Sequence, residues 1–419
     1  MENAPKSMRL QIAMFGRTNV GKSSLLNMLA GQDIALVSEI PGTTTDVVEK
    51  SFELLPIGPV VFLDTPGIDD SSVLGAKRIE RTHRILSRAD VAIIVTEPNV
   101  WTDSETELVQ NMLKPKKIPT IIVINKSDIG KSTPEFIKSL SEFSDSVIEM
   151  SNFEPENREI YLQSLKSALQ VLIPNEEMSQ TVSILGDLVP QSGGLVILIT
   201  PIDLQAPKGR MILPQVQAIR DCLDNDLVVM VVKEREYPTA LQLLNRKPDL
   251  VVCDSQVVYK MVADTPPDVP CTTFSILFAR LKGDFMEEIR GAAALDSLEE
   301  GDKVLIAEAC SHHSLQDDIG KVKIPRWLRQ YLGFEVQIDH CAGRDYPENV
   351  QDYKVIIHCG ACMLTRREKL NRIEKAKDAN VPITNYGMTI SLVQGVMERV
   401  LSPFPEAKAL FASMNEEEE

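Results

Sequence analysis

The sequence predicts an α/β fold arranged as three consecutive α/β domains, and three features of its 419 residues indicate this. Short apolar runs typical of buried strands alternate with amphipathic helical patterns, as in parallel sheets with crossover helices. Two polar, proline-containing segments, Pro174–Glu177 and Asp264–Pro270, interrupt the alternation. Because the pattern resumes after each interruption, the predicted domains span residues 1–173, 180–263 and 264–419.

The first domain is predicted to hold a parallel sheet whose strands end just before polar motifs. Helical patterns follow the strands, for example over Lys22–Leu29 and Pro134–Phe143. The predicted strands are Leu10–Phe15, Val60–Asp64, Val91–Thr96 and Thr120–Asn125.

The second domain is predicted to be a small sheet with three strands, Leu195–Thr200, Leu227–Val232 and Leu250–Cys253. A sheet this small has exposed edges, which favour pairing with a second subunit. The third domain is predicted to be doubly wound, with strands Lys303–Ala309, Glu335–Asp339, Lys354–His358 and Pro382–Asn385.

The composition argues against several classes of protein. There are 44 Lys and Arg residues against 60 Asp and Glu, giving a net charge of −16 that disfavours broad binding to nucleic acid or anionic membrane. The longest apolar runs are far shorter than the roughly 18 residues of a membrane span. The seven cysteines are an odd number, and the first residues lack a signal-peptide pattern. We therefore expect reduced thiols in the cytoplasm, with no nucleic-acid or membrane partner.

A phosphate-binding loop is predicted after the first strand. The segment Gly16–Ser23 fits the pattern G-x-x-x-x-G-K-[ST] between a strand and a helix. Backbone N–H groups of such a loop surround phosphate oxygens, Lys22 reaches the β- and γ-phosphates, and Ser23 can bind Mg²⁺. The residues assigned to the nucleotide are Gly16, Arg17, Thr18, Asn19, Val20, Gly21, Lys22, Ser23 and Ser24.

Two further motifs complete the phosphate and magnesium chemistry. Asp64-Thr-Pro-Gly67 ends a strand, which places a carboxylate beside Mg²⁺ and the Gly67 N–H near the γ-phosphate. In the segment Gly42–Asp46, the hydroxyl of Thr44 is expected to complete the Mg²⁺ shell in the triphosphate state. The residue after Gly67 is Ile68, which cannot orient an attacking water, so we expect slow hydrolysis suited to switching.

Guanine selectivity is predicted from Asn125-Lys126-Ser-Asp128. The carboxylate of Asp128 can accept hydrogen bonds from the N1–H and 2-amino groups of guanine, which adenine lacks. Ser151 is assigned to the same site. With the motifs in this order, the sequence predicts a GTPase whose catalytic residues include Lys22 and Thr44.

These motifs resemble the potassium-activated GTPases, a group that includes the tRNA-modification GTPases and the Era-like proteins. The resemblance implies that Asn19 helps to hold a K⁺ ion and so belongs with Lys22, Thr44 and Gly67 among the catalytic residues. It also implies that the segment Ser38–Thr43 supplies backbone oxygens to this ion, from Ser38, Ile40 and Thr43. An alternative for Asn19 is that its side chain only shapes the loop.

A second site is predicted where cysteine and histidine follow two strands of the third domain. Cys310-Ser-His312 follows one strand, and His358-Cys359-Gly-Ala-Cys362 follows another. Because parallel strands end at the same edge of a sheet, the two motifs are expected to meet there. Three thiolates with a histidine fit either a tetrahedral Zn²⁺ site or a [4Fe–4S] cluster, and the spacing does not separate them.

The combination of motifs resembles the [FeFe]-hydrogenase maturation GTPases, the HydF family. The resemblance implies a [4Fe–4S] cluster on Cys310, Cys359 and Cys362, with His312 or His358 as a candidate fourth ligand. It implies a homodimer formed through the middle domain. It also implies a scaffold that carries the diiron subcluster as transient cargo, works with the radical-SAM maturases HydE and HydG, and delivers to the apo-[FeFe]-hydrogenase.

Two other functions remain open from the residues alone. One is an RNA-modification or ribosome-assembly GTPase with a zinc-stabilised C-terminal domain, for which the basic stretch Arg366–Lys377 is the candidate contact. Such a charged helix is more typical of a solvated face. The other is an interaction module gated by GTP. Cys222, Cys253 and Cys271 are predicted to be core residues, and Cys341 a neighbour of the metal site.

Overall fold

The computed structural model describes most of the chain in two compact units. The described residues are 9–30, 48–65, 67–69, 82–151, 155–172, 183–190, 192–202, 211–309, 318–343, 346–361 and 364–416. The first unit spans residues 1–182 and the second spans residues 183–419. Each has its own sheets and hydrophobic core, and the predicted α/β class is confirmed.

The first unit contains a sheet in the order β2-β3-β1-β4-β5-β6, counted over its described residues. Only the β2–β3 pair is antiparallel. Strands β1, β4 and β5 are apolar and almost fully buried, as expected for strands covered on both faces. The strands are β1 (Leu10–Phe15), β2 (Val48–Leu54), β3 (Gly58–Asp64), β4 (Val91–Thr96), β5 (Thr120–Ile124) and β6 (Ser146–Glu149).

Helices cover this sheet, and local capping explains where some of them begin. The hydroxyl of Thr133 accepts a hydrogen bond from the Phe136 N–H, and Pro134 occupies the first helical position. The helices are α1 (Lys22–Ala30), α2 (Asp103–Glu107), which continues as a π-helical segment (Leu108–Leu113), α3 (Pro134–Leu140) and α4 (Arg158–Leu172).

The second unit contains two parallel sheets of four described strands each, in the orders β10-β9-β7-β8 and β12-β11-β13-β14. In each sheet, the strand that comes first along the chain lies between the strands that come second and third, so β7 lies between β8 and β9, and β11 lies between β12 and β13. Strand β10 pairs with β9, so it joins the middle sheet although it follows the expected boundary at residue 264. The strands are β7 (Leu195–Ile199), β8 (Val228–Val232), β9 (Leu250–Cys253), β10 (Cys271–Thr273), β11 (Lys303–Ala307), β12 (Gln337–Cys341), β13 (Val355–His358) and β14 (Ile383–Asn385).

One hydrophobic core joins the two sheets of the second unit. Buried residues of the middle sheet, such as Val196, and of the last sheet, such as Val304, belong to the same cluster. The helices that complete this unit are α5 (Leu213–Asp224), α6 (Tyr237–Leu243), α7 (Val258–Asp264), α8 (Phe274–Lys282), α9 (Phe285–Ala293), α10 (Ile324–Leu332), α11 (Arg366–Asp378), α12 (Tyr386–Val393), α13 (Met397–Val400) and α14 (Pro405–Glu416).

Helix α11 is only partly a solvated face. Two of its basic side chains, Lys369 and Arg372, are buried. The Lys369 ammonium lies 2.6 Å from Glu288 Oε1, and Asn385 Nδ2 donates to Glu288 Oε2 at 2.6 Å. The sequence favoured a solvated charged face, whereas packing turns one side of this helix into the protein, where Lys369 pairs with Glu288.

The described cysteines include the three that were predicted to be core residues. Cys222, Cys253 and Cys271 are fully buried, as predicted for core residues. None of the five described cysteines forms a disulfide bond with another described cysteine. Within the described ranges, none of the helices is both long enough and apolar enough to cross a membrane.

The buried Lys369–Glu288 pair yields a stability prediction. Replacing Lys369 by Met leaves the Glu288 carboxylate buried without its cation, and we expect the free energy of unfolding to fall by about 3–5 kcal/mol. Urea unfolding followed by Trp327 fluorescence in a Trp101→Phe background measures this. The matched control is Lys260→Met, which breaks the half-exposed pair with Asp264 and is expected to cost about 0–1 kcal/mol. Equal losses in the two variants would contradict the prediction.

Candidate functional site: a nucleotide pocket and a cysteine cluster site

The phosphate-binding loop follows β1, at the topological switch point where the order of the strands reverses. Strand β1 lies between β3 and β4, so the carboxyl ends of these strands leave a crevice. Gly16 enters the loop with φ +148°, and a Cβ atom there would lie 2.3 Å from the Val95 carbonyl oxygen. Only glycine permits this approach. Asn19 has φ 63° and Gly21 has φ 97°, which curve the loop toward α1.

Lys22 is buried at the first turn of α1, and its ammonium lies within the loop. It donates hydrogen bonds to the carbonyl oxygens of Gly16 at 2.9 Å and Arg17 at 2.8 Å. Burial lowers the pKa of Lys22, while the Asp64 and Asp69 carboxylates act in the opposite direction. The ammonium is therefore held where the motif requires a cation for phosphate oxygens.

Asp64 ends β3 beside Lys22 and fits a magnesium ion. Its Oδ1 atom is buried and accepts no hydrogen bond from the described residues. Burial raises the pKa of Asp64, and Lys22 partly offsets this. A buried carboxylate oxygen without a described donor is the oxygen chemistry that Mg²⁺ prefers.

The guanine-recognition residues are held by the loop and by a serine. Asn125 Nδ2 donates to the Val20 carbonyl oxygen at 2.8 Å, which ties this motif to the phosphate-binding loop. The hydroxyl of the buried Ser151 donates to Asp128 Oδ1. The structure thus brings together Asn125, Asp128 and Ser151, which the sequence assigned to one site.

Two acidic residues near this pocket were missed by the sequence analysis. The guanidinium of Arg17 donates to Glu105 Oε1 at 2.8 Å and lies 3.5 Å from Glu97 Oε2. Glu97 also pairs with Lys126 of the guanine motif. Glu105 is fully buried at the start of α2, where it also accepts from the Thr102 N–H. A polar residue just after β4, as Glu97 is, could have been identified from its place at the strand's carboxyl end.

The start of the segment after Asp64 contacts the loop directly. The Ile68 N–H donates to the Gly16 carbonyl oxygen at 3.2 Å. Asp69 accepts hydrogen bonds from the Thr18 N–H at 2.7 Å and the Thr18 hydroxyl at 2.9 Å. A Cβ atom on Gly67 would lie 2.3 Å from the Thr18 hydroxyl oxygen, so this position also requires glycine.

Several predicted site residues lie outside the described residues, and the structure brings no evidence about them. In the first unit these are the predicted magnesium and potassium ligands Ser38, Ile40, Thr43 and Thr44. In the second unit they are Cys310, His312 and Cys362.

The second site lies at the carboxyl ends of β11 and β13. Strand β11 is flanked by β12 and β13. The strand order therefore reverses here, as it does at the crevice of the first unit. The Ala309 N–H donates to Cys359 Sγ at 3.0 Å, and the Cys359 N–H donates to the Ala307 carbonyl oxygen at 2.9 Å. The residue that precedes Cys310 therefore contacts the sulfur atom of the other motif.

A small apolar cluster surrounds this point. It consists of Ala309, Ala361 and Leu364, with Cys359 packed against it. Ala361 adopts φ 52°, and the Leu364 N–H donates to its carbonyl oxygen at 3.1 Å. Ala309 and Ala361 directly precede Cys310 and Cys362 in the chain. The predicted ligand Cys359 therefore lies together with the residues that precede the other two predicted ligands. Within the described ranges, no group of three His, Cys, Asp or Glu side chains is arranged to hold a metal ion.

His358 is buried beside Cys359, and both of its ring nitrogens have partners. Its Nδ1 lies 2.6 Å from the Cys359 carbonyl oxygen, and Arg372 Nη1 lies 2.9 Å from its Nε2. Burial lowers the pKa of His358 to about 3, and Arg372 adds to this effect. A neutral ring that donates from Nδ1 and accepts at Nε2 satisfies both contacts. In this arrangement neither nitrogen is directed to a metal.

Three family models match successive parts of the chain. The model described as 50S ribosome-binding GTPase matches residues 11–126. The hydrogen maturase F dimerization domain matches residues 184–283, and the hydrogen maturase F tetramerization domain matches residues 286–403. The two hydrogen maturase models together match more than half of the 419 residues.

Curated relatives match the first part of the chain. The tRNA modification GTPase MnmE of Synechococcus sp. (strain JA-3-3Ab) is 42% identical over 126 residues, which cover 29% of this chain and 26% of that protein. MnmE of Desulforamulus reducens is 33% identical over 178 residues, covering 42% of this chain and 37% of that protein. The chain thus spans about a quarter to a third of the length of these relatives.

Solved structures with partial likeness include two GTPases. The G domain of the FeoB iron transporter of T. maritima is 24% identical, with a TM-score of 0.31, and the match covers 39% of this chain and 99% of that one. Era of Aquifex aeolicus, bound to GDP and AlF₄⁻, is 23% identical, with a TM-score of 0.32, and covers 56% and 98%. At these scores the likeness carries no argument about function.

A phosphate-binding loop with guanine-selecting residues precedes two sheets that match the dimerization and tetramerization domains in order. Cys359 and its neighbours lie in the second of these two domains. The MnmE relatives share only the first part of this arrangement. The chain therefore belongs to the HydF hydrogenase maturases, which carry a GTPase domain.

Proposed function

We propose that this GTPase of the hydrogenase-maturase family is a GTP-hydrolysing scaffold and carrier that binds a [4Fe–4S] cluster. It takes part in the assembly of the diiron subcluster of [FeFe]-hydrogenase and in its delivery. This proposal depends on the contact between the Ala309 N–H and Cys359 Sγ. Because Ala309 directly precedes Cys310, the contact brings the residue before one cysteine motif to the sulfur atom of the other. The match to the two hydrogen maturase models supports it.

The nucleotide pocket supplies the hydrolysis. Asp128, oriented by Ser151, selects guanine, and the loop amides from Gly16 to Ser24 bind the phosphates. Lys22 turns from its carbonyl partners to the β- and γ-phosphates, and the Gly67 N–H faces the γ-phosphate. Ser23, Thr44 and Asp64 would hold Mg²⁺, and Asn19, Ser38, Ile40 and Thr43 would hold K⁺. Both ions would supply positive charge to the phosphates. Ile68 offers no base, so turnover is slow.

The cysteine site is where the cluster binds in this proposal. Cys310, Cys359 and Cys362 are three thiolate ligands, and the N–H donor at Cys359 stabilises negative charge on its sulfur. A cluster held by these three thiolates would have room for an exchangeable ligand, such as a cyanide of the diiron cargo. HydE and HydG supply this cargo and the apo-hydrogenase accepts it in the cytoplasm, as the family resemblance implies.

The middle sheet supports a homodimer. Its edge strand β10 is fully buried, whereas the other edge strand, β8, exposes Val228 and Val231. An exposed apolar edge has unpaired backbone groups that a second chain can satisfy. Pairing of two β8 strands about a two-fold axis gives the self-complementary interface of a homodimer.

Potassium dependence tests the GTPase mechanism. Exchange of K⁺ for Na⁺ is expected to lower the GTP turnover number by about 10²-fold, the scale of one lost charge-stabilising contact. Steady-state phosphate release in matched chloride salts measures this. Equal rates of the wild-type protein in both salts would rule out the potassium mechanism.

Two Asn19 variants separate ion binding from loop shaping. Asn19→Ala removes the side chain but strains a backbone at φ 63°, whereas Asn19→Gly removes it without strain. If Asn19 binds K⁺, both variants lose the preference for K⁺. If Asn19 only shapes the loop, Asn19→Gly keeps that preference.

Cluster loading tests the carrier function. Anaerobic reconstitution is expected to give roughly one [4Fe–4S] cluster per chain, and Cys359→Ser to lose it, because two thiolates hold a cubane poorly. Iron and sulfide assays with EPR of the reduced protein measure this. Cys341→Ser is the matched control and is expected to load normally. Stoichiometric zinc without an EPR-active cluster would instead favour the zinc-stabilised GTPase.

Dimer formation tests the role of β8. Val231→Lys places a charge on the exposed edge and is expected to convert the dimer into a monomer, as measured by light scattering after size exclusion. The control is Leu243→Lys, on an exposed position of α6, which should leave the dimer intact. A dimer that persists in Val231→Lys would place the interface elsewhere.

A further inference from the structure

His358 lies between Cys359 and the buried Arg372, and each of its ring nitrogens has a hydrogen-bond partner. Nδ1–H donates to the Cys359 carbonyl oxygen at 2.6 Å, and Nε2 accepts from Arg372 Nη1 at 2.9 Å. A histidine that binds iron must offer the lone pair of one ring nitrogen, with the proton on the other. Here the only ring lone pair is engaged by Arg372.

Arg372 connects His358 to a second loop. Its Nη2 donates to the Gly343 carbonyl oxygen at 2.5 Å, and its guanidinium lies 4.9 Å from the centre of the Tyr346 ring. On the next turn of α11, Lys375 donates to the Pro347 carbonyl oxygen at 2.8 Å. The segment after β12, the end of β13 and helix α11 are thus joined through one guanidinium.

We infer that His358 is a positioning residue that fixes the backbone of Cys359 against Arg372, and that it is not the fourth ligand of the cluster. This rests on the proposed cluster function and deepens it. Removing the ring would take away the donor to the Cys359 carbonyl oxygen and one of the two acceptors of the buried Arg372, and these two losses would loosen the backbone at Cys359. The exchangeable iron is then left to another ligand.

The geometry predicts how individual substitutions behave. His358→Ala removes both contacts, and Arg372→Met removes the same brace from the other side, so both are expected to weaken iron retention by about 10–100-fold, as loss of an outer-sphere partner does. His358→Gln keeps an acceptor near the Nε2 position and should retain more iron than His358→Ala. Arg366→Met, on the exposed part of α11, is the control and should load like the wild type.

Pulsed EPR distinguishes a brace from a ligand. Protein labelled with ¹⁵N-histidine and reduced after reconstitution should show the same nitrogen coupling in the wild type and in His358→Gln. The inference is overturned if His358→Gln abolishes a histidine coupling while Arg372→Met loads fully, because a ligand would behave in that way.

A measurement on the metal-free chain keeps this test independent of the proposed function. NMR of ¹⁵N-histidine-labelled protein should assign the Nδ1–H tautomer to His358, with a shift on Arg372→Met. An Nε2–H tautomer would overturn the inference and requires no variant to fold. Failure of the wild type to bind iron, with the Nδ1–H tautomer observed, would remove the cluster proposal and leave the brace intact.

Discussion

The carboxyl end of a central parallel strand is the constraint on which both sites depend. Strand β1 lies between β3 and β4, and β11 lies between β12 and β13. The chain therefore leaves β1 and β11 toward one end of the sheet, and it leaves the neighbouring strands β4 and β13 toward the other end. The backbone groups beyond that strand cannot all be paired within the sheet, and a crevice forms. In the first unit a phosphate-binding loop fills the crevice, and in the second unit the cysteine loop does.

Main-chain groups do most of the positioning in both crevices. Gly16 passes so close to the Val95 carbonyl that a side chain is excluded, and the Val20 carbonyl holds Asn125. In the second unit the Ala309 N–H contacts Cys359 Sγ, and the Cys359 N–H pairs with the Ala307 carbonyl. Because strand register fixes these groups, the chemistry of each site follows from how the sheet is paired.

The sequence predicted the motif-bearing strands because long apolar runs and the polar residues after them are local signals. It missed β2, β6 and β10, since the first is a polar edge strand in a hairpin and the other two have only four and three residues. It also missed the burial of Arg372, which follows from contacts with residues distant in the chain. Tertiary partners decide which charges of a basic helix face inward, and local pattern does not contain them.

Helix α11 contacts both ends of the segment between His358 and Thr365, which contains Cys359. Thr365 caps this helix by accepting from the Glu368 N–H, while Glu368 accepts from the Thr365 N–H, so the helix start is fixed. The other end of the loop is fixed by His358, whose partner Arg372 projects from the same helix. Helix α11 therefore contacts the described residues at both ends of the segment between His358 and Thr365. A buried arginine is tolerated there because its hydrogen bonds to His358 and to the Gly343 carbonyl oxygen hold the described start of this segment in place.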